Sequence, residues 1–207
     1  MASSSDAEMP SSMPMSFTKA RIWCRLVNLF FGGEPVNEAA GTRVSIKAVP
    51  ELIWRRILFY EEAPGRSPLL LQALFLCPVG TEGDKSEVGA RILCRYKHGN
   101  LVKRITAFEM PYLIRFDVME QHLGIECCAG AQSGSYRIRR CGLGSEVILT
   151  TNYRTCLHPR WLWRPMEKLA IHQLHTHILN GMRKIGAQED ARAGTVTTGC
   201  ACQGEEA

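Results

Sequence analysis

The sequence lacks the features that most readily announce a function. No C-x-x-C pair occurs among its nine cysteines, so neither a zinc knuckle nor a thioredoxin motif is written in it. No apolar run reaches the ~18 residues that a bilayer span requires. Residues 1–16 are rich in Ser, Met and Pro and carry two acids, unlike the basic start of a signal peptide. No Gly-rich phosphate loop, catalytic triad or metal cluster of convincing spacing is present. Gly142-x-Gly144 has no strand-to-helix context and reads as a hairpin turn.

Charge excludes a further class. Lys and Arg outnumber Asp and Glu by 25 to 20, a net charge of +5. The basic residues are spread along the chain and form no stripe, so nucleic acid is not an expected partner. The balance supports a weak attraction to anionic surfaces.

What is present suffices for one domain with tails. The chain has 207 residues, 45% of them hydrophobic, enough for a core. Several cysteines fall inside apolar strand patterns, where a free thiol behaves as a small hydrophobe. A reducing cytoplasm is therefore the expected setting. The alternative is Cys200-Ala-Cys202 as a metal or redox pair.

Residues 1–16 read as a disordered start and 187–207 as a disordered tail. Residues 17–33 read as an amphipathic helix ended by Gly32-Gly33, and 34–42 as a linker. Residues 43–49 alternate as a strand. Pro50 opens a helix, and 67–75 forms a second short one. Alternation then predicts strands over 89–97, 100–109, 112–120, 135–141 and 145–157. Turns fall at His98-Gly99-Asn100 and Met110-Pro111. Residues 124–134 read as a loop. A long helix follows Pro159, with Trp163, Ala170, Leu174, Ile178, Gly181 and Ile185 along one face.

This order implies an α+β fold in which a curved antiparallel sheet wraps around the long C-terminal helix. Two short helices follow the first strand. A cavity between sheet and helix is the usual result of such a grip.

The residues carrying these elements resemble a known superfamily. VSIKAVPELIW, with Pro50 and Trp54, is similar to its opening strand and helix. VGARILCRYKHG supplies Cys94, Tyr96 and Gly99, and the next hairpin carries Glu109. ILTTNYRTCLHP supplies Tyr153 and Pro159. The terminal helix has His172, His175, Ile178 and Leu179. From Val44 to Lys184 the chain resembles the START-like, Bet v 1-like group (SRPBCC), which includes polyketide cyclase and dehydratase-like proteins and lipid carriers. One departure is Gly144-Ser145, where the group often has Gly-Thr. The resemblance implies a ligand-binding helix-grip fold whose members do very different jobs, from lipid and hormone carriers to polyketide cyclases; no cofactor is expected.

The candidate ligand-binding residues are Glu167, Tyr153, Tyr96, Phe116, Ile105, Thr151, Ile171 and Leu174. Glu167 falls on the apolar side of the helix. It is either a polar anchor or general acid inside the cavity, or a first-turn residue that is exposed at the cavity mouth or paired with an arginine. Tyr153 either orients a ligand or packs in the core, and packing is favoured for Tyr96 and Tyr136. His172 and His175 are helix neighbours placed nearer the polar side, and no metal site is expected from them. Trp23, Arg21, Arg25 and Phe30 are the candidate membrane contacts, because a wide apolar arc beside basic residues suits an anionic lipid surface.

The leading expectation is a binding module for a small hydrophobic or lipid-like molecule, without enzymatic activity. A cyclase- or dehydratase-type enzyme using cavity acid and tyrosine groups is one alternative. An interaction protein docked to a membrane or partner through residues 17–31 is the other.

Overall fold

The structure is a computed structural model that describes residues 15–58, 67–74, 76–83, 85–142 and 144–196. It describes the side chains of residues 19 and 21–181 within these ranges. Both the Cys200-Ala-Cys202 pair and the expected disorder of residues 1–14 and 197–207 lie outside the described residues.

The chain opens with helix α1 (Met15–Phe31) and strand β1 (Gly32–Ile46). Two short helices follow, α2 (Pro50–Leu58) and α3 (Leu69–Ala73). Six strands come next: β2 (Pro78–Glu82), β3 (Arg91–Tyr96), β4 (Gly99–Glu109), β5 (Leu113–His122), β6 (Ala129–Cys141) and β7 (Gly144–Leu157). Helix α4 (Arg160–Val196) closes the chain. The strands form one antiparallel sheet in the order β1-β7-β6-β5-β4-β3-β2. The expected curved sheet, long final helix and two short helices after the first strand are all present.

Local chemistry explains several elements. Pro50 occupies the first position of α2, where its missing N–H costs nothing. Glu51 stands in the first turn of α2, and Arg55 and Arg56 in its last, matching the helix dipole. Ile53, Trp54 and Ile57 bury the inner face. Trp54 meets Phe108 edge to face at 4.9 Å. The core continues through Ile105, Ile138, Val147 and Leu149 on the sheet to Leu179 on α4.

Three boundaries differ from expectation, the first two because pairing between strands overrides a silent local pattern. Residues 34–42, read as a linker, belong to β1 and pair with β7 from Val36↔Thr155 to Thr42↔Leu149. β1 is an edge strand, so Pro35 is tolerated, and the register shifts between Gly32 and Val36. Residues 129–134, read as loop, form the first half of β6. Gly134 is required there: a Cβ would stand 2.5 Å from Phe116 Cζ and 2.7 Å from the Thr150 carbonyl oxygen. Residues 187–196, read as disordered tail, continue α4.

The Gly144-Ser145 departure also has a structural role. Ser145 is buried and donates to the Ala48 carbonyl oxygen at 2.8 Å. That bond ties the start of β7 to the segment just beyond β1, with Ile46 opposite Ser145.

Candidate functional site

Between the sheet and α4 lies a cavity of about 260 Å³, just below the ordinary range of small-molecule sites, about 300–1,000 Å³. Its walls are mostly apolar: Leu101, Phe116, Leu149, Ile171, Leu174 and Ile178 are among them. The alternation of each strand puts one set of side chains on this face.

Of the expected ligand-binding residues, Glu167, Tyr153, Tyr96, Phe116, Thr151, Ile171 and Leu174 line this cavity together. Ile105 does not. It is 1% exposed in the packed core and borders a second, smaller pocket of about 50 Å³. Trp23 reaches the cavity wall from α1, while Arg21, Arg25 and Phe30 are exposed on that helix.

Glu167 is fully engaged. Its Oε1 accepts from Thr155 Oγ1 and Arg160 Nη1, both at 2.8 Å. Its Oε2 accepts from Arg160 Nη2 at 2.8 Å and from the Tyr153 hydroxyl at 3.2 Å. Burial works to raise the carboxyl pKa, but the bonds from Arg160, Thr155 and Tyr153 and the Arg160 charge carry it below the usual range. Burial and the neighbouring Glu167 push the Tyr153 phenol up. Arg160 also reaches Glu38 at 3.3 Å, and Arg164 meets the same carboxylate at 3.2 Å. This group is an ion-pair network at one end of the cavity in which the Arg160 Nε alone is buried without a hydrogen-bond partner.

A second polar group had no place among the expected site residues. Lys103 of β4 lines the cavity, with its Nζ 4.3 Å from the Phe116 ring centroid. Burial opposes the ammonium, but the neighbouring Cys94 thiol and Tyr96 phenol favour it, and the net direction is upward. Among the described residues no carboxylate forms an ion pair with Lys103. Burial pushes the Tyr96 phenol up to about 12, and pushes Tyr136 up as well. The two tyrosines share the cavity wall with Lys103. The signal was present in the sequence: in LVKRI, alternation sets Lys103 on the same face as Leu101 and Ile105.

His175 corrects an expectation. Placed nearer the polar side of the helix from the sequence, it is 2% exposed. Its Nε2 bonds with Thr151 Oγ1 at 2.8 Å and its Nδ1 with Thr42 Oγ1 at 3.0 Å. Thr42 Oγ1 also lies 3.0 Å from Nδ1 of the exposed His172. Hydroxyls on β1 and β7 thus make a polar seat for a helix face that a hydrophobicity wheel reads as outward. Burial, then Lys103 and His172, lower the His175 pKa to about 4, so the ring is neutral at pH 7.

The cysteines also depart from expectation. Cys77 and Cys94 are buried free thiols, as read. Cys24 of α1, however, forms a disulfide with Cys127 before β6.

No protein-family model and no curated protein matches the chain. Solved structures do. The aromatase/cyclase Zhui from Streptomyces sp. R1128 is 15% identical, with a TM-score of 0.55 over 77% of this chain and 99% of that one. Truncated norcoclaurine synthase from Thalictrum flavum is 14% identical, with a TM-score of 0.50 over 73% of this chain and 94% of that one. The chain shares the helix-grip fold of these structures. Likeness at this level fixes the helix-grip architecture and leaves the chemistry to the residues just described. No helix among the described residues of this helix-grip chain is long and apolar enough to cross a membrane.

Proposed function

We propose that the domain binds one small amphipathic molecule, with its apolar body in the cavity and an acidic head against Lys103. The observation that carries this reading is an ammonium without a carboxylate partner, set in a mostly apolar wall beside two phenols. Half-buried in this wall, the charge loses part of its hydration, and a carboxylate or phosphate on the ligand supplies the opposite charge. Tyr96 and Tyr136 remain protonated at neutral pH and can donate to the same head. Burial of the apolar body contributes at about 25 cal/mol per Å². The test is extraction and mass spectrometry of whatever co-purifies with the protein. An acidic lipid-like compound is expected, and a chain that stays empty when offered such compounds defeats the reading.

A cyclase-type activity has weaker support. The carboxylate it would use, Glu167, is already held by four donors, which leaves it poorly placed as a general acid or base.

A second reading concerns α1, whose outer face favours an anionic membrane surface. Leu29 and Phe30 are 77% and 76% exposed, and Ile22 and Leu26 more than half exposed. Lys19, Arg21 and Arg25 accompany them, and α1 carries no acid. Apolar insertion beside basic residues suits anionic headgroups, and Trp23 puts the cavity next to that face. Flotation with vesicles of stated charge tests it.

A further inference from the structure

Cys24, Cys127 and Cys128 bring their three sulfurs within 4.8 Å of one another. They come from chain segments about a hundred residues apart, which is why no short motif betrays them. Cys24 is the only fully buried one among the described side chains of α1. It sits in a small apolar cluster with Cys128 and Leu157, flanked by Val27 and Trp163. The hold of α1 on the sheet therefore centres on this one thiol position.

The disulfide accounts for two sulfurs, and the third, on Cys128, stays a thiol that donates to the Cys24 carbonyl oxygen at 3.2 Å. Cys128 is 5% exposed, and its Sγ lies 2.7 Å from Cys24 Sγ. A disulfide needs no third sulfur at that point, whereas a metal ion uses all three. With metal–sulfur bonds of about 2.3 Å, tetrahedral coordination spaces sulfurs about 3.8 Å apart, so once the disulfide is reduced the Cys24 and Cys128 sulfurs must separate by about 1 Å from their present 2.7 Å. Cys156 supports the group from the side. Its thiol donates to the Cys127 carbonyl oxygen at 2.9 Å and to Asn28 Oδ1 at 3.2 Å, fixing the Cys127–Cys128 segment against α1.

We infer that Cys24, Cys127 and Cys128, when reduced, bind one thiophilic divalent cation of the zinc class, and that this ion fastens α1 beside the cavity. The reduced site arises when a dithiol gives two electrons to the Cys24–Cys127 bond. The dithiol leaves as a cyclic disulfide, and two thiols remain. Ion binding then displaces the thiol protons, so affinity rises with pH.

The test uses the full chain, reduced with a dithiol and freed of it anaerobically. Cys200 and Cys202 are replaced by Ser to remove the other close pair. Cd²⁺ alone is the probe, read by its ultraviolet thiolate charge-transfer band. The expected end point is one ion per chain. The band is lost in Cys24→Ser and in Cys128→Ser and kept in Cys141→Ser, whose thiol is exposed elsewhere. A second readout needs no cysteine variant within the site. Zn²⁺ should slow tryptic cleavage at Lys19, Arg21 and Arg25 of the reduced chain several-fold. Three results overturn the inference: no band in the reduced chain, an equal band in Cys24→Ser, or tryptic rates indifferent to Zn²⁺. A chain that only re-forms its disulfide in air belongs with the first of these.

Discussion

Arg160 grips Glu167 with both terminal nitrogens, each 2.8 Å from a different carboxylate oxygen. The pair spans the start of α4, and Glu167 also ties that helix to Tyr153 and Thr155 on β7. The carboxylate sought from sequence as a ligand anchor is thus first a fastener between helix and sheet.

Removing Arg160 tests that role. The Glu167 side chain is 8% exposed, so Arg160→Leu leaves a buried carboxylate without its cation. Breaking such a pair costs about 3–5 kcal/mol. The double variant Arg160→Leu/Glu167→Leu should recover part of that loss, because no charge is left stranded. Urea unfolding midpoints of the three proteins decide it. A single variant as stable as the parent would show that the network contributes nothing.

His175 sets a pH dependence of stability. Its folded pKa lies near 4, below the 6.5 of a free imidazole. Between these values the unfolded chain binds the proton and the folded chain does not. Stability is therefore complete above about pH 6.5 and falls as pH drops towards 4, by about 3 kcal/mol at most. Thermal melts from pH 7 to pH 4.5 should show the decline. His175→Gln, which can still bond both Thr42 and Thr151, should flatten the slope above pH 5. An identical slope in the variant would assign it to other groups.

The architecture was legible because it is written in patterns of two and of 3.6. RVSIKAV, GARILCRYKHG and SEVILTTNYRTCL alternate, and the long final segment carries a helical stripe. What escaped depends on partners distant in sequence. GGEPVNEAA has no alternation, and only the length of β7 makes it a strand. His175 looks polar on a helical wheel because the wheel does not show Thr42 and Thr151 across the interface. The pairing of Cys24 with Cys127 is likewise a matter of topology. Lys103 is a different case: its place in LVKRI marked the inner face, and the rarity of inward-facing lysine hid the signal.

The exposed face of α1 predicts binding to anionic vesicles. Leu29→Ser/Phe30→Ser removes two side chains that are more than three-quarters exposed, so folding should be unaffected. Each large apolar side chain contributes about 1.5–3 kcal/mol when fully buried, and partial insertion still gives at least a tenfold weaker partition. Flotation with phosphatidylserine vesicles measures it, with phosphatidylcholine vesicles as the uncharged reference. If the parent chain ignores both lipids, or the variant floats equally well, the face has another occupant.

Lys103 predicts a preference among ligands that differ only in the head group. A hydrogen bond to a charged group contributes about 1.5–3 kcal/mol against about 0.5–1.5 for a neutral one, a difference of about 1–1.5 kcal/mol or about 5- to 10-fold in affinity. A medium-chain fatty acid should therefore bind more tightly than the alcohol of the same length. The preference should shrink below about pH 5, where the ligand's own carboxyl takes up a proton. Lys103→Met keeps the apolar stem and removes the charge. It should abolish the preference for the acid while leaving the alcohol's affinity within about twofold, because uniform hydrophobic contact survives the change. Competition with an environment-sensitive fluorophore measures all four pairings. Equal loss for acid and alcohol would make Lys103 a structural prop, and no loss for either would place the head group elsewhere in the cavity.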